Sequence, residues 1–459
     1  MKKMIALVLL LSVLSVSAFF VVGALVSGEQ ENVTFKENVI YGDRTYANGI
    51  NVFMRSHYDN HLFWNTSYTI GDEPKATTDF EFHYTAFADP KPKKGRGAIL
   101  KTDFPYYHSY DDLLAGEPVG LKMAYRELYD ETPVGETGTK TIRLQDYYDY
   151  YPIGFFTLSL PGVDWMAHNY DDLTGMYKNI RDVWDAFNEF IKIPIPEDLP
   201  AFEIELKKIG ENHLSTRMLG PYYQIESASA YTSTQCFFSI TTDYDGKRVD
   251  TSQIPGGYGI YAFSYQNSGN KFYGDGIDTD SLAMVYPLGE AEEVVHMIVS
   301  EDETKLLAFT AEQGGFFLTV IDIATMTELQ KIFLDVTTNF EITEYDTCIV
   351  LTRSDAVAKQ NLVIEKQEDG LYRFALRIMR FDKGGAEDMA FDGEKLVIVN
   401  QAEYPICCGF KVEVYDKRGL LYYAEYESSL SSAAGYGSGC LPVRYEVAWT
   451  GDDSFSDEN

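Results

Sequence analysis

The chain has 459 residues, of which 45% are hydrophobic and 14% aromatic. This composition suffices for a large core and excludes a wholly disordered protein. The 70 acidic residues against 38 basic ones give a formal charge of -32. Such a charge argues against DNA or RNA as a partner, because binding a phosphate backbone requires clustered Lys and Arg.

The first residues of the chain resemble an export signal. Lys2 and Lys3 precede an uncharged apolar run from Met4 to Val26. The run is longer than the apolar centre of a cleaved signal, roughly 7–15 residues, and long enough to cross a bilayer. We therefore expect residues 1–28 to be a signal peptide or a signal-anchor transmembrane helix, with the retained anchor preferred. The two lysines place the remainder outside the cytoplasm, anchored to the plasma membrane or, after cleavage, secreted.

Short runs rich in Val, Ile, Phe, Tyr and Thr predict β-strands beyond this segment. Clusters of Asp, Gly and Asn separate the runs and suit tight turns between antiparallel strands. We expect an all-β domain over residues 32–450 and a disordered acidic tail at 451–459. Clear strand candidates are GINVFMR at 49–55, HLFWNTSYTI at 61–70, FFLTVIDI at 316–323 and FKVEVYD at 410–416.

Two segments favour helices instead. SYDDLLAG at residues 109–116 places an N-cap serine before acidic residues, which predicts a short helical turn. Residues 168–193 predict an amphipathic helical insertion, ended by Pro194 and Pro196. This helix covers a core in the simpler interpretation and docks a partner in the alternative. Its apolar residues at spacings of three and four are Leu173, Met176, Ile180, Val183, Trp184, Phe187 and Ile191.

Tyrosines alternate with aspartates in QDYYDYYP, residues 145–152. If this segment is a strand, both of its faces carry rings and acids. Aromatic rings beside carboxylates stack on sugars and bind their hydroxyl groups, so a glycan platform is one interpretation; packing in a half-buried sheet is the other. The candidate ligand-binding residues are Tyr147, Tyr148, Tyr150 and Tyr151.

Calcium is the one cofactor that the sequence suggests. Alternate acids in a tight loop can converge on one cation, and DGIDTD supplies Asp275, Asp278 and Asp280. DYDGKRVD at residues 243–250 is a second, less favoured loop. Neither matches a complete calcium-binding loop motif, so an ordinary polar hairpin is the alternative for both.

A repeat organises the C-terminal third of the chain. SEDETKL at residues 300–306 shares its frame with AFDGEKL at 390–396, and a further unit with Asp346 before TCIVL lies between them. The interval of 90 residues thus comprises two units of about 45, a length typical of four-stranded propeller blades.

The repeated frame is similar to that of a known family. SEDETKLLAF resembles the S-P-D-G-x-x-L-a-f hairpin of WD40-like β-propellers of the TolB and YVTN type, and VIDIATMTEL resembles their v-x-D-x-x-T segment. Glu301 stands where the family has Pro, and Glu303 where it has Gly. The resemblance implies a β-propeller, and residues 32–450 leave room for six to eight blades, with seven preferred. We expect the late strand at 442–450 to share a blade with VTFKENVIY at 33–41.

Sequence motifs of common enzymes are absent, including the G-x-S-x-G elbow, the H-E-x-x-H pair and the P-loop. We therefore expect a noncatalytic, membrane-anchored module that binds a protein, a peptide or a cell-surface glycan. One alternative is a propeller-fold glycoside hydrolase, lyase or lactonase with acids at a central channel. Another is a structural or assembly component of an envelope complex. The fold itself is compatible with all three.

Overall fold

The structure is a computed structural model. It describes residues 33–58, 62–82, 97–102, 104, 107–160, 163–164, 183–210, 212–219, 225–243, 248–265, 277–337, 339–354, 359–380, 386–402, 409–429 and 441–450, together with 11–17, 20, 21, 24 and 28.

The predicted signal or anchor is described only in part. Residues 11–17 are helical, whereas most other positions of 1–28 and the whole tail 451–459 lie outside the described residues. Over the part of the chain that the structure covers, no helix has both the length and the apolar character needed to span a membrane.

The remainder of the chain is built almost entirely from β-strands, as the sequence predicts. Within the described residues the strands form seven antiparallel sheets: four with four strands, one with five and two with three. A succession of small antiparallel sheets along the chain is the organisation of a β-propeller, so the predicted fold class is confirmed. The chain divides into two compact units, residues 1–92 with 339–459 and residues 93–338.

The first unit contains three sheets, named here for reference. The closing sheet consists of β2 (Ile50–Tyr58), β3 (Leu62–Ile70), β4 (Lys75–Phe82) and β27 (Leu441–Trp449). The middle sheet consists of β19 (Glu341–Glu344), β20 (Cys348–Ser354), β21 (Lys359–Lys366) and β22 (Tyr372–Arg380). The five-stranded sheet consists of β1 (Phe35–Gly42), β23 (Asp388–Phe391), β24 (Leu396–Gln401), β25 (Gly409–Asp416) and β26 (Gly419–Ser428).

The second unit contains four sheets. Two have three strands: β5 (Gly97–Thr102), β7 (Ile153–Leu160) and β8 (Val163–Asp164); and β6 (Thr137–Ile142), β9 (Phe202–Lys208) and β10 (Leu214–Leu219). Two have four: β11 (Ile225–Tyr231), β12 (Gln235–Asp243), β13 (Gly259–Tyr265) and β14 (Ile277–Pro287); and β15 (Glu293–Val299), β16 (Lys305–Glu312), β17 (Gly315–Asp322) and β18 (Thr327–Asp335).

The helices of the second unit differ from the expectation in one respect. Helix α1 (Tyr110–Leu114) begins as predicted, with Ser109 Oγ accepting the Asp112 N–H at 3.1 Å. Helix α2 (Leu121–Glu131) was not predicted, although its buried residues recur at spacings of three and four. Of the predicted insertion, residues 183–190 are helical and the segment before them lies outside the described residues.

Both ends of the chain enter sheets, but not the same sheet. Strand β1 pairs with β26, and β27 pairs with β2. The expectation that the first and last strands share one blade is therefore wrong. Glu37 on β1 contributes a side-chain bond to the pairing with β26, because its carboxylate accepts the Tyr422 hydroxyl at 2.6 Å.

The repeated frames form hairpin turns, as predicted. The first lies between β15 and β16, and the second between β23 and β24. Gly393 has a φ of 97°, and Glu303, which stands where the propellers that the frame resembles have Gly, has a φ of 55°. Such a conformation strains a residue with a side chain. The Glu303 carboxylate compensates by accepting the backbone N–H and hydroxyl of Ser233 at 2.8 and 2.7 Å.

Asp302 holds the first of these turns together. Its Oδ1 accepts the Ser300 hydroxyl at 2.6 Å and the Thr304 N–H and hydroxyl at 3.1 and 2.9 Å. These bonds, that from Ser300 above all, lower the pKa of Asp302 to about 2.

We expect Asp302→Ala to lower the free energy of unfolding by about 1 kcal/mol at pH 7, a value reduced for the exposure of the turn. The contribution is present above pH 3.8, the usual Asp pKa, and is lost as the pH falls through 2, because the folded-state pKa is depressed. Urea unfolding of the variant and the unsubstituted chain at pH 7 and pH 2.5 measures the loss of unfolding free energy at each pH. An equal loss at the two pH values would contradict the assignment.

Candidate functional site

The space between the middle sheet and the five-stranded sheet has an apolar part and a polar part. The apolar part is a cluster of buried side chains from both sheets, including Val350, Val363, Ile378 and Ile398. Such a cluster is what two half-buried sheets require in order to pack. Polar side chains extend the same layer beyond it, and they form the candidate site.

Strand β25 contributes much of the polar part. Both of its faces are buried, and each face packs against a different sheet. Phe410, Val412 and Val414 pack in the cluster shared with the closing sheet. The alternate residues Glu413 and Tyr415 face the middle sheet, since successive side chains of a strand point to opposite sides.

Arg380 and Glu413 form a buried ion pair across this layer. The side chain of Arg380 is 1% exposed and that of Glu413 is 3% exposed. Arg380 Nη2 and Nε lie 2.8 and 3.1 Å from the two carboxylate oxygens. Tyr415 donates its hydroxyl to Glu413 at 2.6 Å, and Asn400 donates its amide at 3.1 Å. A bidentate pair with two further donors is geometrically fixed and forms a rigid wall.

Two buried amides beside this network lack hydrogen-bonding partners for some of their atoms among the described residues. Asn361 is fully buried, and neither its Oδ1 nor its Nδ2 has a partner; Asn400 Oδ1 has none either. Asn361 pairs with Ile378 across the middle sheet, so both side chains project to the same side. Unsatisfied buried polar atoms are costly, and they occur where a water or a ligand group is held.

A cavity of about 460 Å³ opens beside the ion pair. Its size is within the range of pockets for small ligands or side chains. The walls combine cations, aliphatic groups and two tyrosines, which is an arrangement suited to binding a ligand with one charged and one apolar part. The lining residues are Arg377, Ile378, Met379, Glu413, Tyr415, Lys417, Arg418, Gly419, Leu420 and Tyr423.

Asp388 is a second chemically distinctive group in the same unit. Its Oδ2 accepts the Val447 N–H at 2.7 Å, which joins the edge strands β23 and β27. Burial above all, with the negative charges of Asp346 and Glu446, raises the pKa of Asp388 to about 7 against the lowering effect of the backbone bonds. The carboxyl group therefore titrates near neutral pH, where a general acid or base operates.

The predicted tyrosine platform lies in the second unit, where its side chains have internal partners. The segment is a 3₁₀ turn, Leu144–Asp146, followed by loop residues, so it is not the strand on which both faces would carry rings and acids. Tyr147 packs against the core, Tyr148 accepts the Leu121 N–H at 3.1 Å, Tyr150 donates to Gln253 at 3.0 Å, and Tyr151 is 6% exposed. Glycan binding by these residues stays a prediction.

The predicted calcium ligands are partly described. Asp278 and Asp280 lie on β14, exposed and two positions apart on one face, and the Asp280 N–H donates to Asp278 Oδ1 at 3.2 Å. Asp275 lies outside the described residues. In the described part of the chain no three His, Cys, Asp or Glu residues are grouped to hold a metal ion. The calcium site stays a prediction.

Sequence reasoning did not single out the ion pair, the cavity or Asp388. FKVEVYD was correctly predicted to be a strand, and the Glu within it was the available signal, because a carboxylate in an apolar strand requires a partner when both faces are covered. The partner, Arg380, lies 33 positions away on another sheet.

Comparison with known proteins yields only distant structural similarities. No protein-family model matches the chain, and no curated protein matches it. It is similar to the crystal structure of a candidate 6-phosphogluconolactonase from Bacteroides fragilis, with 7% identity, a TM-score of 0.29 and coverage of 87% of this chain and 98% of that one. A mutant apocarotenoid oxygenase of Synechocystis has 10% identity, a TM-score of 0.27 and coverage of 91% and 96%. Similarity this low extends no activity to this chain.

Proposed function

We propose that this protein is a noncatalytic binding module of the WD40-like propeller type, and that the cavity between the middle and five-stranded sheets holds part of its partner. The observation that supports the proposal most is the cavity itself. It is large enough for one or two side chains, and a buried, bidentate ion pair fixes one wall in advance. A preformed wall reduces the entropy lost on binding.

The proposed location follows from the N-terminal run of 23 uncharged residues, Met4 to Val26. With this run as a membrane anchor, the propeller lies on the extracytoplasmic side of the membrane. Its partner is then a protein, peptide or glycan of the cell surface. Nucleic acid is disfavoured by the charge of -32.

A matched pair of variants tests the proposal. Met379 lines the cavity and is 47% exposed, whereas Leu329 on β18 in the other unit is 45% exposed. We expect Met379→Trp to fill the cavity mouth and reduce recovery of the partner at least tenfold, while Leu329→Trp retains it. Affinity capture from envelope extracts on the immobilised full chain, quantified by mass spectrometry, measures the difference. Equal recovery by both variants would exclude the cavity as the binding site.

Asp388 favours a second candidate, an enzyme that hydrolyses or opens a glycoside or lactone. A carboxyl group with a pKa of about 7 is suited to donate or accept a proton at neutral pH. This candidate requires turnover of a chromogenic glycoside or a lactone that disappears in Asp388→Asn. Turnover that survives the substitution would remove Asp388 from any catalytic role.

A further inference from the structure

The cavity is basic although the chain is strongly acidic. Arg377, Lys417 and Arg418 all line it, whereas acidic residues outnumber basic ones by 70 to 38 in the whole chain. The local charge is therefore opposite to that of the protein. Basic residues gathered at a cavity in such a chain provide a local attraction for an anionic group.

The ion pairs at the cavity leave this positive charge in excess. Glu413, the acid in the lining, is already paired with Arg380. Arg418 is paired with Asp416 at 2.7 Å. Lys417 is exposed and makes no ion pair within the described residues. Arg377, also exposed, lies near the Phe374 ring, with its guanidinium 6.0 Å from the ring centre. The charge of Lys417 is thus the one that an incoming anion would neutralise.

The apolar part of the lining indicates what accompanies the anion. Ile378, Met379 and Leu420 contribute aliphatic surface next to the basic residues of the lining, and Tyr423 contributes a partly exposed ring. An aliphatic side chain buries against such a surface, while a neighbouring carboxylate meets the cations. The site therefore matches a ligand in which these two groups are adjacent.

We propose that the cavity recognises a peptide carboxylate next to an aliphatic side chain. This inference rests on the proposed binding function and names its ligand class. A peptide suits the lining better than an acidic glycan does, because sugar faces stack on flat exposed rings. Here Tyr415 is buried, with its hydroxyl bound to Glu413, so among the described lining residues only Tyr423 offers a partly exposed ring to the cavity.

Fluorescence polarisation with labelled tripeptides tests the inference. The probes are Ala-Ala-Leu with a free carboxylate, the same peptide as its carboxamide, and Ala-Glu-Leu as its carboxamide, which carries the acid on a side chain. We expect the two acidic probes to bind the full chain at least tenfold more tightly than the neutral one. Lys417→Ala should remove about tenfold of that preference, the value of one charge-assisted hydrogen bond.

Lys75→Ala provides the matched control, because Lys75 is an exposed cation on the closing sheet and its loss changes the net charge equally. This variant should leave the preference unchanged. Met379→Trp should abolish binding of both acidic probes.

The outcomes separate this inference from the proposed function. If acidic and neutral probes bind equally and Met379→Trp blocks both, the cavity binds peptides without carboxylate recognition, and only the inference is overturned. If a labelled trimer of galacturonic acid binds and loses affinity in Lys417→Ala while the peptides do not bind, the ligand is an acidic glycan and the peptide assignment is wrong. If no probe binds but Met379→Trp still loses the envelope partner, the proposed function stands without the inference.

Discussion

Replacing Arg380 by Ala should lower the free energy of unfolding by about 3–5 kcal/mol, because Glu413 would be left as a buried charge without its cation. The two side chains are 1% and 3% exposed, so water cannot solvate the Glu413 carboxylate in place of Arg380. The loss therefore consists mainly of the desolvation cost of Glu413, and not of the attraction alone. Chemical denaturation at pH 7 measures it.

Arg373 offers the control on the same strand. It forms an ion pair with Glu365, but its side chain is 58% exposed. Arg373→Ala should cost less than about 1 kcal/mol, because solvent screens an exposed pair. A similar loss in both variants would show that position on β22, and not the buried charge, determines the cost.

A second substitution separates the buried charge from lost packing. Glu413→Gln removes the charge and places one amide oxygen and one amide nitrogen where the two carboxylate oxygens contact Asn400 and Tyr415. We expect Arg380→Ala with Glu413→Gln to recover at least about 1–2 kcal/mol of the loss caused by Arg380→Ala. If the double variant is less stable than the single one, the guanidinium contributes by packing and the electrostatic interpretation fails.

The sequence was sufficient to predict the hairpins because their determinants are local. Asp302 and Asp392 each bind backbone N–H groups two or three positions later, and such bonds depend only on residues within one turn. Even the departure at Glu303 was informative. Glu303 stands where the propellers that the frame resembles have Gly. It has a positive φ, and its side chain binds Ser233, in the turn between β11 and β12.

The pairing of the terminal strands could not be predicted in the same way. The segments of β1 and β27 both have the composition of strands, and no residue pattern within either segment indicates which sheet edge it joins. The outcome depends on contacts between distant positions, such as Glu37 with Tyr422 and the Val447 N–H with Asp388. These residues are separated by 385 and 59 positions. Contacts of this kind arise from the assembled sheets, and a sequence window does not contain them.

The candidate site was missed for a related reason. Composition drew attention to the tyrosine-rich segment, whose rings turn out to pack and hydrogen-bond within their own unit. The cations of the cavity instead come from β22 and from the turn between β25 and β26, about 40 positions apart in the chain. In the sequence, each of them resembles an ordinary solvated charge. Only the arrangement of the two sheets makes them a cluster.

Replacing Asp388 by Asn should change how stability depends on pH, and the change should be large. The folded-state pKa is raised from 3.8 to about 7, so the unfolded chain releases this proton first as the pH rises. The stability that the protonated group contributes is fully present below pH 3.8 and is lost as the pH rises through 7. A shift of about three pKa units corresponds to about 4 kcal/mol. Asn stays neutral and can still accept the Val447 N–H, so it avoids this loss.

We therefore expect the difference in unfolding free energy between Asp388→Asn and the unsubstituted chain to rise by about 4 kcal/mol from pH 4 to pH 8 in favour of the variant. Urea titrations at half-unit steps of pH measure it. Taking the difference cancels all groups that titrate alike in both proteins. Asp369→Asn, in the exposed turn before β22, controls for removing a carboxylate elsewhere in the same unit. A difference that stays constant with pH would mean that Asp388 is ionised in the folded protein throughout this range. The carboxylate would then be a permanent hydrogen-bond acceptor that joins β23 to β27. A role of Asp388 in proton transfer would be excluded as well.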